Sequence, residues 1–396
     1  VARRALSRIL DTDAYSDQLS LRGKFNTGAL KHSFNVGTEW SLQKTDQGMY
    51  TFTNAAGQTT STILNSNINS CDSTAAALNG WCTSLNNPGN GAFTDTVGSI
   101  NGQSTTRSQT ASIYALDSIE FTPQWLLSLG VRWDKFETEK KYNQDVYATT
   151  AGAYNSTISI PKGTKYESDS DFFTYQAGLV YKPTENGSIY ASFATSANPV
   201  GVLAEGDSSD NALGTTDIIN ALKPEEARTF EIGTKWDLFN NRANLTAAIF
   251  RTEKQNTRIQ IDSTTTANAG ESKVDGFEVS LNGKITNKWE VSTGYSYLDS
   301  EITKAAYTAI AQEGKPLPFV AKNSATLWST YKVLPKLTLG AGAEYRDQVF
   351  VNTTAPKYLP TYTIYNAMAK YDVNRNVNVQ LNVNNISDKR YFTSAH

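Results

Sequence analysis

Residues 377–384 read VNVQLNVN and alternate between apolar and polar side chains almost without exception. Successive side chains of a β-strand point to opposite faces, so this segment predicts a strand with one apolar and one polar face. The same alternation returns along the whole chain, in paired segments that are joined by tight turns, with aromatic residues at the strand ends. That combination is typical of an all-β, antiparallel transmembrane β-barrel wall.

The pattern predicts about fourteen strands, arranged as seven hairpins. Several of the hairpin turns carry Asn, Gly or Pro, as at Asn26-Thr27-Gly28 and Pro123-Gln124, which are the residues that such turns favour. The predicted strand pairs are 13–24 with 29–43, 105–122 with 124–140, 165–182 with 188–195, 225–239 with 242–258, 272–285 with 288–301, 321–333 with 336–349, and 362–373 with 376–392.

The connections between these hairpins are longer than the turns within them. The long connections are 45–104, 141–163 and 196–223, followed by shorter ones near Ser263, Ala305 and Thr353. Bacterial outer-membrane barrels have short turns at one rim and long loops at the other, and their long loops lie outside the cell. A soluble β-sandwich would not sort its loops in this way.

The segment 124–136, QWLLSLGVRWDKF, shows how one strand would cross a membrane. Its apolar row runs from Trp125 to Trp133, while Arg132 and Asp134 belong to the other row. Eight steps separate the two tryptophans, which is roughly 26 Å along a strand. A tilt of about 40° reduces this to roughly 20 Å along the membrane normal, close to the apolar band of a barrel.

Composition excludes several other classes of protein. The net charge of −2 over 396 residues offers no basic surface for nucleic acid. No stretch approaches the roughly 18 apolar residues of a membrane helix, and the mean hydropathy is −0.43. Two His and two Cys leave no credible metal cluster, and no nucleophile–base set or phosphate loop argues for an enzyme.

The two cysteines, Cys71 and Cys82, lie in one polar stretch of the longest loop. In an oxidising compartment an exposed pair of thiols is expected to be joined. We therefore expect a disulfide that closes a small loop, the alternative being two unrelated reduced thiols.

Four segments resemble the barrel of a TonB-dependent outer-membrane receptor, and their order and spacing match the second half of such a barrel. Within the family the chain is most similar to siderophore receptors of the catecholate type, on RTEK at residues 251–254 and on the terminal Ser394-Ala395-His396. The four segments are LKPEEARTFEIGTKWDLF (222–239), LTAAIFRTEKQNTR (245–258), ESKVDGFEVSLNGKITNKWEVSTGYSYLDS (271–300) and LNVNNISDKRYFTSAH (381–396).

The resemblance implies a barrel of about 22 strands around a plug domain. Residues 1–396 would then be a partial barrel domain, approximately strands 8 to 21, without the plug, the TonB-contacting peptide and the last strand. In TFEIGTKW we expect Phe230 and Ile232 to face lipid and Lys235 to face the lumen. Gly233 and Gly276 would let the wall bend or let another domain approach closely.

The function implied by the resemblance is TonB-energised uptake of a ferric siderophore across the outer membrane of a Gram-negative bacterium. The implied partners are the siderophore, of catecholate type, the TonB–ExbB–ExbD complex and outer-membrane lipid. The protein would be a transporter and not an enzyme. It would need no cofactor, because iron would arrive inside the siderophore and not on protein ligands.

Two other functions fit parts of the pattern. Fourteen is an even strand number, which a passive pore could also have. A closed pore should end on an aromatic strand, however, and Ser394-Ala395-His396 does not. A structural or adhesive β-protein would leave the asymmetry of the loops unexplained.

A ferric catecholate is a bulky anion with aromatic rings, so its site should offer cations and aromatic faces. The alternative for each candidate is that the arginines pair with inward carboxylates such as Asp134 and Glu344, and that the tyrosines pack within a loop. The candidates that we select near the outer mouth are Arg107, Arg132, Arg346, Tyr142, Tyr147 and Tyr154.

Overall fold

A computed structural model of the chain contains one antiparallel sheet of fourteen strands. The structure describes residues 9–53, 96–150, 153–199, 223–260, 266–305, 307–352 and 357–393. The strands are β1 (Ile9–Thr27), β2 (Leu30–Thr53), β3 (Thr96–Thr122), β4 (Trp125–Tyr142), β5 (Val146–Thr150), β6 (Ala153–Ile160), β7 (Lys165–Thr184), β8 (Gly187–Asn198), β9 (Glu225–Leu238), β10 (Ala243–Gln260), β11 (Thr266–Lys284), β12 (Trp289–Lys304), β13 (Asn323–Leu334), β14 (Leu337–Arg346), β15 (Val349–Asn352), β16 (Lys357–Leu359), β17 (Tyr362–Asp372) and β18 (Asn378–Val383).

The large sheet is a meander in which each strand pairs with the next strand of that sheet along the chain. Its order is β1-β2-β3-β4-β7-β8-β9-β10-β11-β12-β13-β14-β17-β18. The predictions of an all-antiparallel wall and of about fourteen strands are therefore confirmed. In this order β1 and β18 are the two edges of the sheet.

The sheet has two chemically different faces, which β4 defines. We call the row with Trp125, Leu129 and Val131 the apolar face, and the row with Arg132 and Asp134 the polar face. Each row continues from one strand to the next across the sheet, because residues directly opposite each other on paired strands share a face. For example, Val131 lies opposite Tyr175 and Arg132 lies opposite Thr174 on β7.

Apolar side chains are exposed on one face and polar side chains are buried on the other, which is the reverse of the pattern in a protein surrounded by water. On the apolar face Ile232 and Ile249 are each 56% exposed. On the polar face Ser112 and Asp134 are each only 6% exposed. Proteins in water bury such apolar side chains, so the apolar face requires an apolar environment.

The two rims of the sheet differ as the sequence predicts. One rim carries turns of a few residues, such as Pro123-Gln124 between β3 and β4. The other carries the long connections. The predicted loop 45–104 is too long, because β2 extends to Thr53 and β3 begins at Thr96; the connection between them, 54–95, lies outside the described residues. We call the two rims the short-turn rim and the long-loop rim. At the short-turn rim Trp125 stacks on Tyr181, with ring centroids 4.6 Å apart, and nearer the long-loop rim Phe193 packs on Phe230 at 4.5 Å.

The predicted length of the last strand is wrong. Strand β18 ends at Val383 and does not continue to residue 392. Asn385 and Asp388 adopt left-handed backbone angles, with φ of 50° and 48°. The side-chain amide of Asn385 donates to the backbone carbonyl of Lys389 at 3.0 Å. These angles and this bond form a turn, which ends the extended conformation.

The long-loop rim also contains elements that the sequence did not predict. Strands β5 and β6 form a separate hairpin, and so do β15 and β16. A short 3-10 helix, Tyr307–Gln312, lies in the connection between β12 and β13. Within the described ranges, no helix is both long enough and apolar enough to cross a membrane.

Strands β7 and β8 separate before they reach the long-loop rim. Their pairing runs from Thr184 and Gly187 only as far as Gln176 and Ala194. Above that point β7 stays paired with β4, and β8 stays paired with β9. At the point of separation the hydroxyl of Thr195 accepts from the Tyr175 amide at 2.9 Å and donates to the Tyr175 carbonyl at 3.3 Å.

Candidate functional site

Arg132 is the centre of a polar cluster on the polar face of β2, β3 and β4. Its Nη1 donates to Glu39 at 2.9 Å, and its Nε donates to both carboxylate oxygens of Asp134, at 2.9 and 3.0 Å. Its Nη2 donates to Ser112 at 2.7 Å, and that hydroxyl donates to Asp134 at 2.5 Å. The three strands place these side chains together because Arg132, Tyr114 and Gly37 occupy consecutive register positions across the wall.

Tyr114 covers one side of this cluster. The Arg132 guanidinium lies 6.0 Å from the centre of the Tyr114 ring, and Gln18 donates to the Tyr114 hydroxyl at 2.8 Å. A cavity of about 340 Å³ opens beside them, with Asn35 and Gln176 among its other lining residues. Sequence alternation alone does not predict this arrangement, because the stretch that contains Tyr114 has apolar residues in both rows.

The positive charge of Arg132 is balanced by protein carboxylates. It forms salt bridges with Glu39 and Asp134, and Asp134 is buried. This geometry favours the alternative in which Arg132 is part of the wall. Its role as a ligand contact stays a prediction.

Arg346 has different surroundings, at the end of β14 next to the long-loop rim. Its Nη2 donates to the carbonyl of Phe319 at 3.0 Å. Within the described part of the chain it forms no salt bridge, whereas Arg132 forms two. Glu344, the carboxylate that the alternative assigned to it, instead accepts from the Tyr362 hydroxyl at 3.4 Å. Arg346 is therefore the candidate arginine on the polar face that forms no ion pair with a described carboxylate.

Tyr362 lies next to Arg346, and Tyr391 packs on Tyr362; neither tyrosine was among the predicted site residues. Tyr362 is directly opposite Arg346 in the register of β14 and β17. Its ring packs on Tyr391, with centroids 4.5 Å apart. Tyr391 belongs to the segment DKRYF, which carries part of the family resemblance, so that resemblance was the one sequence signal that pointed to it. The hairpin of β15 and β16 is anchored nearby, where Val349 and Leu359 pack on Ala321.

The structure separates the remaining candidates. Arg107 lies opposite Glu139, in the row of β4 that contains Trp133, so it belongs to the apolar face. Register therefore places Arg107 and Arg132 on opposite sides of the wall. Tyr142 shares the polar face with Arg132 but lies ten residues farther along β4, where its ring meets that of Tyr166 at 5.8 Å in an edge-on contact. Between Arg132 and Arg346, the sheet contains strands β7 to β13.

Two further candidates lie on the hairpin of β5 and β6. Tyr147 pairs with Ile158, and Tyr154 pairs with Thr149. The side chains of both tyrosines fall outside the described part of the structure. Cys71 and Cys82 also lie outside the described residues, so the disulfide stays a prediction.

No metal centre is visible in the described part of the chain. Among those residues, no group of three or more His, Cys, Asp or Glu side chains could hold a metal ion. The chemistry that the polar face offers is recognition by cations, hydroxyls and aromatic rings.

The sequence matches the family model for the β-barrel of TonB-dependent receptor-like proteins over residues 3–386. It is 52% identical to a probable TonB-dependent siderophore receptor, PiuA, from Acinetobacter baumannii, over 100% of this chain and 51% of the relative. It is 31% identical to the catecholate siderophore receptor Fiu from Escherichia coli K12, over 100% of this chain and 50% of Fiu.

Solved structures of the same two receptors have the same fold. The crystal structure of PiuA aligns with a TM-score of 0.84 and 51% identity, over 98% of this chain and 54% of that structure. The closed form of Fiu aligns with a TM-score of 0.78 and 27% identity, over 98% of this chain and 52% of that structure. The chain thus spans about half the length of the relatives that it matches.

Proposed function

The chain belongs to the TonB-dependent receptors, as part of their β-barrel, and from that membership we propose that the protein imports a ferric siderophore across the outer membrane of a Gram-negative bacterium. The observation that carries the proposal is the two-faced antiparallel wall, combined with the similarity to receptors that are named for siderophores. A membrane protein of this kind places its apolar face on lipid and its polar face on an aqueous lumen.

The long-loop rim is the side from which the ligand would arrive. Long loops lie outside the cell in bacterial outer-membrane barrels, so Arg346 and its tyrosine neighbours would lie near the extracellular mouth. There the siderophore would first meet the protein. Short turns at the other rim would face the periplasm.

A ferric catecholate is the ligand that the surroundings of Arg346 fit best. Its negative charge would be attracted to the guanidinium, and a catechol ring would pack on the exposed ring of Tyr391, which contacts the buried ring of Tyr362. Iron would travel as cargo inside the siderophore, without a protein ligand and without a resident cofactor. Arg132 would instead stabilise a part of the wall that is separated from this site by seven strands.

Transport also needs a source of energy, which the outer membrane lacks. The family assignment supports the TonB–ExbB–ExbD complex in this role. We propose these partners for the full-length receptor, because the chain spans only half the length of its relatives.

A passive pore is the weaker alternative. A pore made from these fourteen strands alone would have to pair its first strand with its last one, to leave no open edge in lipid. In the described sheet β1 and β18 are instead its two ends. The matched relatives are transport receptors, and we infer that this protein is likewise a transporter and not an enzyme.

The test is growth on one ferric catecholate as the sole iron source, using the full-length receptor that contains this barrel. Arg346→Ala, Arg132→Ala and Tyr147→Ala are introduced separately, and binding of the ferric catecholate is measured for each. We expect Arg346→Ala to lower affinity at least tenfold, because it removes a charge-assisted contact. A matched control is Lys336→Ala, since Lys336 also donates to a backbone carbonyl, that of Val373 at 3.0 Å, but at the short-turn rim.

The outcomes of this test separate the candidate residues from the proposed function. Unchanged binding and uptake in all three variants, at normal surface expression, would remove these residues from the site. Failure of the unmodified receptor to bind or import any ferric siderophore would contradict the proposed function itself.

A further inference from the structure

Phe319 lies at the long-loop rim, in the connection between β12 and β13, and its backbone has a left-handed φ of 61°. It follows Pro318 within a turn. Proline followed by a residue of positive φ is the arrangement of a type II turn, in which Gly or Asn usually takes the second of these positions. Bulky residues rarely adopt a positive φ, so the surrounding structure must hold Phe319 in this conformation.

The turn is anchored on both sides to β12. Before it, the Leu317 amide donates to the hydroxyl of Ser300 at 3.1 Å, and Ser300 is at the edge of burial, with 9% of its surface exposed. After it, the Lys322 carbonyl accepts from the Leu298 amide at 2.9 Å. These contacts restrain the chain on either side of Phe319 and leave its backbone little freedom to relax.

The backbone of Phe319 links Arg346 to the hairpin of β15 and β16. Its amide donates to the carbonyl of Phe350, a buried residue of β15, at 2.7 Å. Its carbonyl accepts from Nη2 of Arg346 at 3.0 Å. The backbone angles of Phe319 set the directions of its amide and its carbonyl relative to each other. A different conformation at this residue would therefore break one of the two bonds.

A carbonyl holds Arg346 in a different way from the carboxylates that hold Arg132. Arg132 forms salt bridges with Glu39 and Asp134, whereas Arg346 forms no ion pair with a carboxylate of the described chain. A backbone carbonyl accepts a hydrogen bond but carries no net charge. It thus orients the guanidinium without adding a negative charge beside it. This suits a cation that has to be held in place and also has to attract an anion.

We propose that Phe319 is a positioning residue for ligand binding, whose left-handed backbone, and not its ring, holds the Arg346 guanidinium in its binding orientation. The inference rests on the proposed function, which places Arg346 in the site for a ferric catecholate. Arginine is a flexible side chain, and ordering it on binding costs affinity. A guanidinium that is already held by the Phe319 carbonyl avoids part of that cost.

The short-turn rim contains a matched arrangement that serves as a control. Phe239, in the turn between β9 and β10, also has a left-handed φ, of 54°. Its carbonyl accepts from Nε of Arg242 at 2.8 Å, and its side chain is exposed, like that of Phe319. The same substitution at both positions therefore disturbs the same kind of bond, but only Phe319 lies beside the proposed site.

The test measures the affinity of purified full-length receptor for the ferric complex of catechol, an anion with aromatic rings, by quenching of protein fluorescence. Phe319→Ile is the key variant, because a β-branched side chain disfavours a positive φ. Phe319→Asn also removes the ring but tolerates a positive φ. Phe239→Ile is the control, and Phe319→Ile is also made in the Arg346→Ala receptor.

We expect Phe319→Ile to lower affinity about fivefold, and Phe319→Asn and Phe239→Ile to stay within about twofold of the unmodified receptor. If Phe319 acts through Arg346, then Phe319→Ile should change affinity by less than about twofold in the Arg346→Ala receptor. A residue that only stabilises the loop would lower affinity in both backgrounds.

Three results would overturn the inference. Phe319→Asn could bind as weakly as Phe319→Ile, which would assign the effect to the ring. Phe319→Ile could be equally harmful without Arg346, or no more harmful than Phe239→Ile. If Arg346→Ala weakens binding and Phe319→Ile does not, only this inference fails. If the unmodified receptor does not bind the ferric complex, or Arg346→Ala binds it normally, the proposed site fails and this inference with it.

Discussion

Tyr190 lies over Gly233, its direct partner on the neighbouring strand, and occupies the space that a side chain at position 233 would need. A Cβ atom at Gly233 would come within 2.5 Å of the Tyr190 ring. From this position the Tyr190 hydroxyl donates to Glu231 at 2.5 Å. Gly276 and Phe250 are related in the same way, at 2.2 Å. These glycines make room for rings of the wall itself, a role that the sequence did not predict.

We predict that Gly233→Ala destabilises the barrel by about 1–3 kcal/mol, because the new methyl group would force the Tyr190 ring away from Glu231. Gly178→Ala is the matched control. Gly178 is also on the polar face, but its nearest neighbour to a new Cβ would be 3.9 Å away. Unfolding in denaturant, followed on the full-length receptor, measures both changes. Equal stability of the two variants would contradict this explanation.

Arg132→Gln should destabilise the wall through Asp134. The substitution leaves the buried Asp134 carboxylate without its cation, and loss of one partner of a buried pair costs about 3–5 kcal/mol. Arg132 is one-third exposed, so screening by water reduces our expectation to about 1–3 kcal/mol. Lys135→Gln breaks an exposed pair with Glu137 on the same strand and should cost less than about 1 kcal/mol. If the two variants unfold at the same denaturant concentration, the polar cluster does not stabilise the wall.

The sequence predicts the wall well because strand alternation is local. Side chains two residues apart share a face whatever their neighbours are, so the rows of β4 and the sorting of loops follow from the chain alone. The polar cluster could not be predicted in this way. Glu39 and Arg132 are 93 residues apart, and only the register of β2, β3 and β4 brings them together. The turn at Asn385 was missed because it depends on left-handed backbone angles, which alternation does not report.

Cys71 and Cys82 should be joined by a disulfide in protein exported through the periplasm. Ten residues separate them, so the bridge would close only a short segment, and reduction should loosen that loop without unfolding the wall. Peptide mass mapping with and without reductant measures the bond, and Cys71→Ser/Cys82→Ser serves as the unbridged control. Two free thiols in the exported protein would contradict the prediction.

Asp347, in the connection that follows β14, should make the local structure sensitive to acid. The side-chain amide of Asn323 donates to it at 3.0 Å, and the backbone amide of Gln348 and the Thr361 hydroxyl donate at 3.0 and 3.1 Å. These bonds, chiefly that from Asn323, hold the pKa of Asp347 below its ordinary value. A lowered pKa gives stability that is complete above the unfolded value of about 3.9 and is lost as pH falls through the folded value.

We therefore expect the Gln348 amide to be equally protected from hydrogen exchange between about pH 5 and 7, and to lose protection below about pH 4. Rates are corrected for the intrinsic effect of pH on exchange. Asp347→Asn should show lower protection that does not change across this range. A pH-independent profile in the unmodified protein would show that Asp347 does not control this connection.

Thr195 should hold together the point at which β7 and β8 separate. Its hydroxyl takes the place of a backbone partner for Tyr175, so Thr195→Val keeps the shape of the side chain but removes both bonds. A hydrogen bond of this kind contributes about 0.5–1.5 kcal/mol, which corresponds to up to roughly tenfold faster exchange of the Tyr175 amide. Thr195→Ser is the matched control, because it keeps the hydroxyl and should keep the protection. Hydrogen exchange on peptides that contain residues 170–180 of the full-length receptor measures the difference. If Thr195→Val exchanges no faster than Thr195→Ser, then another contact holds the strands at this point, such as that between Tyr175 and Phe193, whose ring centroids are 5.8 Å apart.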